Sequence, residues 1–241
     1  MPIDYRKPPA PAATTRSVPA APAAPAPSVG LSKITLTKSE PTVSLAKQSG
    51  KLHVNLNWNA RPTAAVPVAG KAKGGFLTKL KEAAAAAQTL DLDLGCLWEM
   101  TDGSKGVVQS LGGQFGAWDE APYVLLDGDD RSGAVSGGEN LDVNLARAGD
   151  IKRVLVFASI YQGAKGFGEA GGVVTLSPAQ GPEIVVDLGA EGGSSRMCAV
   201  ALLEFDRGVV TVRREVNYVK GAQDVLDREY GWGMNWRAGR K

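Results

Sequence analysis

Between Lys51 and Trp58 every second residue is apolar. Leu52, Val54, Leu56 and Trp58 form one set; His53, Asn55 and Asn57 form the other. In an extended strand this period sends the two sets to opposite faces, so one face can meet a core and the other can meet water. The same alternation recurs at Ser32–Thr37, Thr42–Leu45, Leu90–Leu94, Leu141–Leu145 and Val210–Tyr218. Turn signals such as Glu40-Pro41 and Thr101-Asp102-Gly103-Ser104 separate the runs. Val154–Tyr161 is instead continuously apolar, as expected of a central strand covered on both faces. More than ten short strands with little helix predict an all-β fold, a two-sheet β-sandwich. Arg214 interrupts the inward row of Val210, Val212, Val216 and Tyr218.

Two stretches fall outside this pattern. Residues 1–30 are rich in Pro and Ala and poor in branched apolar side chains. Such a leader cannot bury enough surface to offset its chain entropy, so disorder is expected there. It has no apolar core of the secretory kind. The domain then runs over 31–241, with an insert at about 62–90. Within the insert, Phe76 to Ala87 contains strong helix formers and predicts a short helix.

The 241 residues can bury a sizeable core, and the net charge of +2 comes without a basic block. That weighs against nucleic acid as the main partner. The longest apolar run is too short to span a bilayer, so no transmembrane segment is expected. Cys96 and Cys198 can build neither a zinc site nor a disulfide framework and read as reduced, buried thiols. The single histidine, His53, lies on the polar side of its strand, as a surface residue would.

The acidic residues are the most informative chemically. Asp91 and Asp93 alternate with leucines and so share a strand face. Downstream, Asp127-Gly128-Asp129-Asp130-Arg131 packs three carboxylates into four residues. Carboxylates this close repel unless a cation joins them, and calcium takes six to eight oxygens from such loops. The alternative is that Asp and Gly simply make a turn. Gly128 and Gly133 have phosphate-loop spacing, but Ala134-Val135 replaces the required Lys-Ser/Thr. Counted as an EF-hand from Asp127, the loop lacks the turn glycine and the bidentate glutamate. No Ser-His-Asp set and no cysteine beside a base is present, so no catalytic residues are assigned and an enzyme is not expected.

With these pieces in order, the chain resembles the TerD family of tellurium-resistance and stress proteins, and most its TerA-type members. The resemblance is carried by ITLTKSEPTVSLAK, LHVNLNW, DLDLGCLW, LLDGDDRSG, VLVFASIY with FGEAGGVVTL, and YGWGMNW. It covers residues 31–241 apart from about 62–90. It implies a β-sandwich that binds Ca2+ through acidic loops and has no established catalysis. It also implies a bacterial cytoplasmic protein, peripheral at the inner membrane face, in a complex with other tellurium-resistance or stress proteins. By motif, Asp91 and Asp93 match the family's DxD acids. Asp129 and Asp130 fall at its GDN positions, beside Asp127 and with Gly128 as a carbonyl ligand. After Gly133 the family is acid-rich, whereas here Glu139 alone keeps a carboxylate. The alternative is a calcium-independent scaffold with decayed metal loops, whose leader or whose Trp232 and Trp236 would bind partners.

Overall fold

The computed structural model describes residues 33–45, 49–58, 90–127, 138–191 and 193–236, all within the unit Leu31–Lys241. The leader, the insert through residue 89 and its expected helix lie outside the described residues, as do Gly128, Asp129 and Asp130.

Thirteen strands are described. They are β1 (Lys33–Thr35), β2 (Thr42–Leu45), β3 (Lys51–Trp58), β4 (Asp91–Met100), β5 (Lys105–Gln109), β6 (Gly116–Ala117) and β7 (Val124–Leu126), followed by β8 (Glu139–Asn144), β9 (Ile151–Gln162), β10 (Gly172–Pro178), β11 (Glu183–Asp187), β12 (Met197–Asp206) and β13 (Val209–Val219). Two short helices, α1 (Phe167–Ala170) and α2 (Gln223–Glu229), and a 3-10 turn at Leu145–Arg147 complete the set. The strands form two sheets, as the alternation predicts. The first has the order β1-β11-β10-β3-β8-β7-β6, and the second β2-β13-β12-β9-β4-β5. β1 runs parallel to β11; the other pairings among the described strands are antiparallel.

The core lies where the inward residues of the two sheets meet. Leu52, Val54 and Leu56 of β3 and Leu141 and Val143 of β8 come from the first sheet. Leu92, Leu94 and Cys96 of β4 and Val154, Val156 and Ala158 of β9 come from the second. A second apolar cluster covers the other side of the second sheet. Leu97, Leu155, Phe157, Met197 and Leu202 pack there under Leu226 of α2 and Trp232. This cluster explains the unbroken apolar run of β9, which is buried on both faces. An ideal Cβ at Gly95 would stand 2.6 Å from the Phe157 ring, so glycine there leaves the ring room against the strand.

Arg214 does enter the inward row, and its side chain is 7% exposed. Opposite it, the β12–β13 register shifts between Ala199 and Ala201, and Val216 has φ 42°. A bulge adds one residue to a strand and re-aims its neighbours. Arg214 reaches Glu191 at 3.2 Å.

Candidate metal centre

β4 carries the first two candidate ligands. Leu92 and Leu94 go to the inter-sheet core, so Asp91 and Asp93 share the opposite face with Gly95 and Leu97. The register sets Asp91 opposite Gln162 and Asp93 opposite Ser159 on β9. Asp91 is buried. Asp93 is half-buried and accepts a hydrogen bond from the Ser110 hydroxyl at 3.0 Å.

The ends of the acidic loop are held by the first sheet. Past β7, the Asp127 N–H donates to the Asn140 carbonyl at 3.1 Å. The Asn140 amide donates back to Asp127 Oδ2 at 2.7 Å and accepts from the Asn55 amide at 2.7 Å. The chain returns through Gly138 at φ +70°, where a Cβ would stand 2.1 Å from the Leu56 carbonyl. Only glycine tolerates that approach and that backbone conformation together.

Glu139 is placed differently from the sequence expectation. It is not a loop residue but the first residue of β8, 1% exposed on the inward face. Its Oε2 accepts from the Leu94 N–H, just past the last β4–β5 pair, Gly95↔Gln109. The carboxylate thereby ties the two sheets together one residue from Asp93.

Asp91 and Asp93 thus lie on the outward face of β4 in the second sheet, whereas Asp127, just past β7, and the inward-facing Glu139 belong to the first. Their oxygens are hard donors of the kind calcium takes. Among the described residues, however, no three Asp, Glu, His or Cys side chains converge on one point that could hold a metal ion. Any such set would need the loop residues Gly128, Asp129 and Asp130, which lie outside the described residues.

Sulfur and imidazole offer little reactivity. Cys96 and Cys198 are both buried, and burial pushes each thiol well above its ordinary pKa. Such thiols are inert at neutral pH. His53 lies on the polar side of β3, as expected, with Nδ1 2.6 Å from Asp142, which also pairs with Lys51 at 2.9 Å.

One cluster escapes a sequence reading. Glu99 is 4% exposed yet charged, held by Lys152 at 2.8 Å and Arg153 at 2.6 Å. The Arg153 guanidinium lies 3.8 Å above the Trp232 ring and donates to the carbonyls of Tyr230 and Gly231. Lys105 donates to the Trp232 carbonyl at 2.7 Å. The aromatic tail is therefore clasped to the second sheet, and Trp232 is core rather than a free docking group. Its signal in sequence was an acid at the outward phase of β4 and a distant Arg, which only the register brings together.

Among the described residues no helix is long and apolar enough to cross a membrane. No family model matches the chain. Two solved structures are similar to it. One is a homologue of the telluride resistance protein TerD from Streptomyces coelicolor A3(2), 18% identical with a TM-score of 0.46, covering 76% of this chain and 98% of that one. The other is a protein of unknown function, 17% identical with a TM-score of 0.46, covering 77% and 98% respectively. The tellurium resistance protein TerA of an Alcaligenes species is 40% identical over 216 residues, which is 88% of this chain. The chain spans 60% of the length of that relative. This match, over most of the chain's own length, supports a tellurium-resistance family of the TerA type for it.

Proposed function

We propose that this protein is a calcium-binding, non-catalytic stress-response module of the tellurium-resistance type, working in a complex with other proteins of that system. The observation that supports it best is the tie from Glu139, where the acidic loop returns, to the Leu94 N–H one residue from Asp93. Asp91 and Asp93 share a face of β4, and Asp127 and Glu139 bracket the acidic loop from the adjoining strands. Asp129, Asp130 and the Gly128 carbonyl would complete the oxygen set. A bound ion would neutralise the crowded carboxylates and hold the loop against the sheet.

Calcium titration of the metal-stripped protein during thermal unfolding, with magnesium as control, tests this. A ligand that binds only the folded state stabilises it by roughly 2.7 kcal/mol at a hundredfold excess over its dissociation constant. A calcium-selective rise in Tm that disappears in Asp129→Ala supports the reading. No rise at millimolar calcium overturns it.

A second reading, a calcium-independent scaffold, is favoured by one feature. Glu139 and Asp93 already serve the fold, the first on the Leu94 N–H and the second on Ser110. On that reading Asp129→Ala leaves both Tm and partner capture unchanged.

A further inference from the structure

Where the outer face of the second sheet emerges beside the start of α2, a cleft of about 230 Å3 opens. Its lining includes Asp93, Ser110, Phe157, Ser159, Arg196 and Gln223. That is more than tenfold the roughly 10–15 Å3 that a single water needs by the same measure, so a small organic molecule fits it.

The strand register orders these groups. Asp93, Ser159 and Met197 form one row across β4, β9 and β12, and Arg196 immediately precedes Met197. Strands lie about 4.8 Å apart, so the acid and the guanidinium stand about 10 Å apart at the backbone, on either side of Ser159. Both are positioned. Asp93 is oriented by the Ser110 hydroxyl. Arg196 is oriented by its Nε on the Ile160 carbonyl at 3.1 Å and a terminal nitrogen on the Tyr161 carbonyl. Gln223 donates to Gln109 at 2.7 Å and closes the wall beside α2. Leu111, half-buried, supplies an apolar surface to the cleft, and Phe157, 1% exposed, lies beneath it.

We propose that this cleft binds a small zwitterion, a free amino acid with an apolar side chain. Its ammonium pairs with Asp93, its carboxylate pairs with Arg196, and its side chain lies against Leu111. Opposite charges at a fixed separation select a molecule carrying both, because charge-assisted hydrogen bonds are strong only when each end is matched. The apolar surface disfavours a third charge. Asp93 is also a candidate calcium ligand, but the cleft does not require the ion, so binding is measured without metal.

The experiment is titration calorimetry of the full chain in chelator, with L-leucine, L-methionine and L-phenylalanine as probes. The expected result is saturable binding of at least one of them, tighter than about 1 mM. That probe's N-acetyl and carboxamide derivatives, each lacking one charge, are expected to bind at least about tenfold more weakly. Asp93→Asn, which keeps the shape and removes the charge, is expected to lose a similar factor. Absence of saturable binding for all three amino acids overturns the proposal. So does equal binding of both capped derivatives, which need no variant to be folded. Unchanged affinity in a folded Asp93→Asn overturns it as well. The calcium reading is tested separately at Asp129, outside the cleft lining, so either can fail alone.

Discussion

Glu99 is the residue on which the clasp of the tail depends. Burial alone would raise its pKa, but hydrogen bonds from Lys152 and Arg153, with the charges of Arg153 and Lys105, hold it below its ordinary 4.5. A depressed acid stabilises the fold fully above its unfolded value and loses that contribution as pH falls through the folded one. Stability supplied by Glu99 is therefore expected to be complete above about pH 4.5 and to fade below it. Glu99→Gln is expected to cost about 3 kcal/mol at pH 7, because it strands a half-buried guanidinium, and to flatten the acid limb of the stability curve; urea unfolding across pH checks both. The two thiols give a second expectation. Neither Cys96 nor Cys198 reacts with a thiol reagent in the native protein, and both react once it is unfolded, as a colorimetric thiol assay would read. Residue type alone predicted the buried thiols and the intrusion of Arg214. It did not predict the inward setting of Glu139, because a glutamate at an inward strand position is legible only once the Leu94 N–H opposite it is known.

Among the elements, β2 and β3 match the runs read from sequence residue for residue, since their alternation is complete and turn residues bound them. β8 begins earlier than its apolar pattern, at Glu139, because a polar residue occupies an inward position. α2 and the tail behind it act as one cover over the second sheet. Trp232→Ala removes the largest side chain of that cover and is expected to destabilise the protein by about 3–5 kcal/mol, with Trp232→Phe milder; both are read from urea midpoints. Gly95→Ala acts from beneath. Its methyl group meets the Phe157 ring and the Val108 carbonyl, and a cost of about 1–3 kcal/mol is expected in the same assay.

For the molecule as a whole, the sandwich class was legible from strand count and punctuation, but the order of strands was not. Neighbours such as β3 and β10, or β9 and β12, are far apart in sequence, and no local period encodes their pairing. The individual acids were legible in the sequence; the cleft was not, since Asp93 and Arg196 line it together only through that pairing. Truncation after Gly221 would strip the cover from Leu97, Leu155, Phe157, Met197 and Leu202. The truncated chain is expected to bind a hydrophobic dye and to self-associate by light scattering, while the full chain does neither. The first two strands carry a different consequence. β1 joins the edge of one sheet beside β11, and β2 joins the edge of the other beside β13. Leu45 pairs with Val210, so it leaves the ribosome on the order of ten seconds before its partner is made. The earliest strands synthesised are thus among the last that can be seated, and the nascent chain must keep them from pairing elsewhere until nearly all of the domain has emerged.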